Sequence, residues 1–207
     1  MDPKKSHWEK LYQSKRFDSV SWYSPHLEES LHLIEALAPG KSASIIDVGG
    51  GESTLVDDLL ALGYRRPTVL DISQAAIDFT RERLGASAAL VDWLVGDVTS
   101  VVLPVHGYDV WHDRAVFHFL TSKEARTAYV EQVRRAVKPG GFVIMATFGP
   151  QGPTQCSGLD VVRYEPGELH GEFGDQFRLL GAETVDHQTP SHSTQQFLYC
   201  WCRLAGA

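Results

Sequence analysis

The chain has 207 residues, of which 43% are hydrophobic and 22% charged, and its formal net charge is −7. That balance suits one globular unit with a core of its own and argues against a nucleic-acid backbone as partner, because polyanion binding shows a basic stripe. No apolar run approaches the roughly 18 residues of a membrane span, and the opening MDPKKSHWEK lacks the apolar stretch of a secretory signal.

In chain order, Ser6-His7-Trp8-Glu9 has the S-x-x-E form of a capping box, with Trp8, Leu11 and Tyr12 on one helical face. Ser24 and Pro25 are placed as N-cap and first residue of a second helix that turns Leu27, Leu31, Ile34 and Leu37 inward and stops at Pro39-Gly40. Residues 1–40 therefore read as a helical lid, and residues 41–207 as the core of the same single domain. The pair Trp22-Tyr23 is either a packing anchor or a cover over a ligand.

Residues 44–48 read as a short buried strand, followed by three glycines and a helix that buries Leu55, Val56, Leu59, Leu60 and Leu62 before Gly63. Such a turn is either a plain packing device or a way to bring bare backbone N–H groups against a ligand. The dinucleotide fingerprint G-x-G-x-x-G fails, since position 54 is threonine; the pattern present is D-x-G-x-G-x-S over Asp47, Gly49, Gly51 and Ser53. A second strand over 67–72 ends in Asp71, 20 residues after Gly51, where an acid accepts hydrogen bonds from ribose hydroxyls in nucleotide-binding βαβ units. Ser73 caps the next helix, which turns Ala76, Ile77, Thr80 and Leu84 inward and closes at Gly85.

Residues 93–98 read as a third strand carrying Asp97, an acid equally at home in a surface turn. The fourth strand covers 108–111, and WHDRAVFHFL continues from Trp111 to Leu120. Thr121-Ser122-Lys123-Glu124 opens a helix with Ala125, Tyr129, Val133 and Ala136 inward, and Lys138-Pro139-Gly140-Gly141 turns into a fifth strand over 142–147. A loop around Cys156-Ser157-Gly158, a short helix near 166–173 and two strands near 182–188 and 195–203 complete the chain. The connection over 189–194 is short enough for a hairpin. Cys200 and Cys202 lie two apart on the last strand and are expected to share one buried side. With Cys156 they are too few and too unevenly spaced for a disulfide framework or a zinc site, as expected of a reduced, cytoplasmic protein.

This succession resembles the class I, Rossmann-like S-adenosylmethionine-dependent methyltransferases over 44–203, with five motifs in order. HWEKLY, SWYSPH and WHDRAVFHFL look like a bacterial-type, small single-domain subgroup. The resemblance implies an α/β fold: a Rossmann-like doubly wound, mostly parallel seven-stranded sheet with an antiparallel last strand and helices on both faces. It implies S-adenosyl-L-methionine as cofactor. Asp47, Gly49, Gly51 and Ser53 would surround its methionine part, Asp71 with Ile72 beside it would hold the ribose, Asp97 and Val98 the adenine, and Asp113 the methyl-donor end. Trp22 and Tyr23 would cover it. The serine at the third glycine position departs from the pattern and makes the turn tighter around the methionine.

A sulfonium methyl is already activated, so the protein supplies alignment and dehydration, and a base only for a protonated acceptor. His118 is the catalytic candidate for that base, against its reading as a packed histidine; His112, His26, Tyr164 and His192 are weaker ones. The histidines lack metal-ligand spacing, so no metal is expected. The leading function is methyl transfer to a small-molecule acceptor. Alternatives are a protein-lysine methyltransferase, whose basic partner an acidic surface could meet, an NAD-dependent Rossmann oxidoreductase, or an inactive methyltransferase-like binding module. The sequence names neither the acceptor nor an oligomeric state.

Overall fold

Two helices, α1 (Pro3–Ser14) and α2 (Glu28–Leu37), precede an alternating run: β1 (Ile45–Val48), α3 (Leu55–Ala61), β2 (Thr68–Asp71), α4 (Gln74–Leu84), β3 (Asp92–Val95), β4 (Tyr108–Arg114), α5 (Lys123–Ala136) and β5 (Val137–Phe148). A small hairpin of β6 (Gln155–Cys156) and β7 (Leu159–Asp160), helix α6 (Pro166–Phe173) and the strands β8 (Phe177–Gln188) and β9 (Thr194–Leu204) follow. This computed structural model describes residues 3–206; Met1, Asp2 and Ala207, the outer ends of the expected lid and core, lie outside the described residues. Among the described residues no helix is long and apolar enough to cross a membrane.

The seven-stranded sheet has the order β3-β2-β1-β4-β5-β9-β8. Strands β1 to β5 run parallel, and β9 runs antiparallel to both of its neighbours. The doubly wound, mostly parallel sheet expected from the sequence is therefore present, with its reversed strand last in the chain. That strand is not at the edge. Residues 197–200 of β9 are all buried, as suits an interior strand, whereas β8 leaves most of its residues partly or fully exposed and forms the rim.

Strands β1 and β2 are buried at every position because helices cover both faces. The two-residue period sorts their side chains. Ile46 and Val48 pack with Tyr129 and Val133 of α5 and Leu169 of α6, while Ile45 meets Ile34 of α2 and Leu55 and Leu59 of α3 on the other face. Cys200 and Cys202 share the first of these clusters, as their spacing predicts. Ser73 caps α4 as expected, accepting the Ala76 N–H at 3.2 Å, whereas α5 is capped one residue later than the T-x-x-E box implies, by Ser122, which accepts the Ala125 N–H at 3.2 Å. A cap of this kind stabilises by about 1 kcal/mol.

Other boundaries differ for identifiable reasons. Helix α1 already begins at Pro3, so Ser6 lies inside it and Glu9 is free to serve another element. Helix α2 begins at Glu28 with Leu27 as N-cap, because the Ser24 hydroxyl donates to the His26 carbonyl at 2.6 Å instead of capping. Strand β4 runs three residues beyond Trp111, which puts His112 and Asp113 inside the sheet. Strand β5 starts at Val137, straight after α5, and absorbs Pro139-Gly140-Gly141 in a register shift against β4, with Gly140 at φ +80°.

From β1 the chain winds outward through β2 and β3, then returns to β4 and winds the other way. The switch therefore falls between β1 and β4, whose ends are paired at Val48 and Asp113. Open α/β sheets bind ligands outside the carboxyl ends of their strands at such a switch.

Candidate active site

The glycine turn after β1 is built by close approach. Gly49 has φ +73°, its N–H donates to the Leu70 carbonyl at 2.7 Å, and a Cβ there would strike the Val116 side chain. At Gly51 a Cβ would lie 2.5 Å from that of Ala76 and 2.6 Å from Asp71 Oδ2. Without one, the Gly51 N–H donates to Asp71 Oδ2 at 3.0 Å, and the Ser73 N–H donates to Oδ1 at 2.8 Å. Burial pushes the Asp71 carboxyl up to about 6, against the pull of these two amides. The turn thus fixes a carboxylate whose remaining lone pairs can receive hydroxyl donors.

Asp71 opens onto a cavity of about 350 Å³ at the carboxyl ends of β1 to β4. Its floor carries Gly49, Asp71, Ile72, Asp97 and Val98. Asp97 Oδ1 accepts the N–H and hydroxyl of Thr99 at 2.8 and 2.6 Å, while no donor among the described residues engages Oδ2. Arg114, Val116 and Phe119 form the wall beyond β4, and Cys156, Leu159 and Asp160 of the hairpin form another.

The N-terminal segment closes the remaining side through Trp8, Tyr12 and Trp22. Trp8 packs edge-on against Trp22 and Phe119, with ring centroids 6.0 and 5.0 Å apart. Helix α1 is pinned there by Glu9. Its carboxylate accepts the Ser73 hydroxyl at 2.7 Å and the N–H groups of Gln74 and Ala75 at 3.0 and 3.1 Å, capping α4 from a distant part of the chain.

A smaller space of about 40 Å³ shares Gly49, Tyr12, Trp22 and Arg114 with the larger one and adds Tyr23, Asp47, Glu52, Ser53 and His112. Two carboxylate oxygens here, Asp47 Oδ2 and Glu52 Oε2, are buried without a partner among the described residues. Burial and the charge of Asp71 push Glu52 up to about 7. Asp47 Oδ1 lies 2.7 Å from His112 Nδ1, and His112 Nε2 lies 2.8 Å from Ser30 Oγ. This Asp–His–Ser order has the chemistry of an activated nucleophile but not its access, since Ser30 is fully buried and its hydroxyl is 3.2 Å from that of Tyr199. It holds Asp47 in place.

Of the residues singled out in the sequence, Trp22, Gly49, Asp71, Ile72, Asp97 and Val98 line the larger cavity. Tyr23, Asp47 and Ser53 line the smaller one, Ser53 with its hydroxyl accepting the Leu55 N–H at 3.1 Å. Gly51 acts behind the surface, through Asp71. Two residues are not brought to the site. Asp113 is fully buried, accepting the Val116 and Phe117 N–H groups at 2.9 and 3.4 Å on Oδ1 and the Tyr129 hydroxyl at 2.5 Å on Oδ2. His118 is fully buried between Phe119 and Phe148, and its Nδ1 accepts the Phe148 N–H at 3.3 Å.

Burial lowers the His118 imidazole to about 3, helped by the positive charge of Arg114, so at neutral pH it is uncharged and faces neither cavity. It cannot serve there as a base. His26, Tyr164 and His192 line neither cavity. Among the described residues no cluster of three His, Cys, Asp or Glu could hold a metal. Sequence reasoning passed over Trp8 and Tyr12, whose shared helical face looks like ordinary packing, and Arg114, the last residue of a strand extended by pairing. Nothing local marks Leu159 or Asp160.

Residues 45–141 match the profile of the family described as "Methyltransferase domain". The eEF1A lysine and N-terminal methyltransferase of Bos taurus is 28% identical over 139 residues, covering 67% of this chain and 19% of that protein. The EEF1A lysine methyltransferase 2 of Danio rerio is 28% identical over 130 residues, covering 58% of this chain and 56% of that protein. The chain thus spans less than two thirds of the length of these curated relatives. Among solved structures, the Burkholderia thailandensis 1,6-didemethyltoxoflavin-N1-methyltransferase, with 1,6-didemethyltoxoflavin and S-adenosylhomocysteine bound, superposes with a TM-score of 0.76 at 18% identity, over 98% of this chain and 87% of that one.

Proposed function

We propose a reaction on the premise that the chain belongs to the class I, Rossmann-like S-adenosylmethionine-dependent methyltransferases: transfer of a methyl group from S-adenosyl-L-methionine to a small-molecule nucleophile. The observation that carries this reading is the Gly49–Gly51 turn set against Asp71, with Asp97 in the same cavity. The site suits the cofactor's chemistry. Asp71 offers acceptors for two ribose hydroxyls, Asp97 Oδ2 an acceptor for the adenine amino group, and Val98 an apolar surface for the ring. The unpartnered oxygens of Asp47 and Glu52 call for a cationic donor, which the α-ammonium supplies.

When bound, the sulfonium supplies a methyl group that leaves sulfur with the S–C electron pair remaining behind, as the acceptor's lone pair forms the new bond. The protein's part is geometry. Glu9 holds α1 across the cavity, Trp8, Trp22 and Phe119 keep water from the reacting atoms, and the walls align the acceptor for in-line approach. Residues 3–40 work in this reading as a lid. S-adenosylhomocysteine at about 100 times its dissociation constant should stabilise the protein by roughly 2.7 kcal/mol in thermal or urea unfolding, and NAD should not. Selective stabilisation by NAD would overturn the assignment.

A second reading, methylation of a protein lysine, is favoured by the names of the eEF1A-modifying relatives. Labelled S-adenosylmethionine offered with a panel of small nucleophiles and with purified eEF1A decides between them by where the label goes.

A further inference from the structure

Arg114 ends β4 at the switch point and lines both cavities. One guanidinium nitrogen, Nη1, donates to the Trp22 carbonyl at 2.9 Å, and the group lies 4.3 Å from the centre of the Phe197 ring. Its Nε is buried and finds no acceptor among the described residues. No carboxylate among the described residues pairs with it. The contrast with the other partly buried arginines is direct, since Arg83 meets Asp57 at 2.6 Å and Arg126 meets Glu172 at 2.8 Å. The charge of Arg114 is felt around it, adding to the burial that depresses both His118 and His187. A cation kept in an aromatic wall without a counter-ion is costly unless a ligand completes the pair.

The strand order says which ligand. A cofactor laid over β3, β2 and β1, with adenine at Asp97, ribose at Asp71 and methionine at Asp47, is followed in the sheet by β4. Arg114 therefore stands at the next position, where the acceptor enters, among Trp8, Trp22, Phe119 and Leu159. Tyr12 and Tyr23, which carry neutral donors suited to the methionine carboxylate, line the smaller space. Resting on the methyltransferase reading, we propose that Arg114 selects the acceptor: a small apolar or aromatic molecule bearing a carboxylate, which the planar guanidinium receives while the aromatic wall takes the rest. The same charge repels an ammonium group, so this site disfavours a lysine side chain.

The test is calorimetry on the full chain saturated with S-adenosylhomocysteine, using benzoate and indole-3-acetate against their neutral carboxamides. The carboxylates should bind at least about tenfold more tightly. In Arg114→Gln that preference should vanish while affinity for S-adenosylhomocysteine stays within about twofold, and Arg114→Lys should keep part of the preference. Equal binding of acid and amide by the wild-type protein overturns the proposal, whether or not the variants fold. So does a tenfold loss of S-adenosylhomocysteine affinity in Arg114→Gln with unchanged binding of 5′-methylthioadenosine, which would assign Arg114 to the cofactor's own carboxylate. Failure of the wild-type protein to bind S-adenosylhomocysteine at all is a separate result that removes the underlying reading as well.

Discussion

The ends of β2 and β4 carry two aspartates that look alike by every local measure. Asp71 and Asp113 are both buried, both take two backbone N–H groups (Asp71 from Gly51 of the β1 turn and from Ser73, Asp113 from Val116 and Phe117), and both are pushed up to about 6 chiefly by burial. They part at a third partner. The Tyr129 hydroxyl, brought from α5, closes Asp113 and is itself held by the Trp111 indole N–H at 2.9 Å. No side chain among the described residues closes Asp71, whose other side is the cavity. An acid at a strand end is a binding group or a structural one according to whether another element covers it.

Substitution should separate the two. Asp113→Ala leaves three buried donors without an acceptor, each costing roughly 1–3 kcal/mol, so unfolding in urea should show a loss of at least about 3 kcal/mol. A variant as stable as wild type would put Asp113 back among the exposed functional acids. Asp71→Ala leaves two buried donors, the Gly51 and Ser73 N–H groups, without an acceptor, one fewer than Asp113→Ala, and acts on the ligand as well. Loss of hydrogen bonds to a charged group costs roughly 1.5–3 kcal/mol, so affinity for S-adenosylhomocysteine should fall at least about tenfold while the fold persists. Unchanged binding in calorimetry would remove the ribose role.

Acidity should then move stability and ligand affinity in opposite directions, by a smaller amount. Both folded-state values lie above that of an unfolded aspartate, so the folded protein binds more protons between about pH 4 and 6, and stability drawn from these groups is lost as pH rises through about 6. Taking the protein from pH 7 to pH 5 should raise their contribution, and Asp113→Asn should shrink that rise. Ligand affinity should go the other way, since a protonated Asp71 gives up acceptor capacity. A urea midpoint with the same pH dependence in wild type and Asp113→Asn would show that Asp113 does not titrate as its burial requires.

Local sequence was enough for the alternation of strand and helix, the cap at Ser73, the bare turn at Gly49 and Gly51, and an acid at the end of β2. These depend on side-chain period, backbone freedom and hydrogen bonds within a few residues, all of which are local. Long-range pairing decided the rest. It drew β4 out to Arg114, turned His118 inward between Phe119 and Phe148, and carried Tyr129 to Asp113. It also sent Glu9 to cap a helix that begins 65 residues later, at Gln74. Whether a polar side chain meets solvent, a ligand or another part of the protein is settled by what packs over it, and only the tertiary structure brings those covering groups into place.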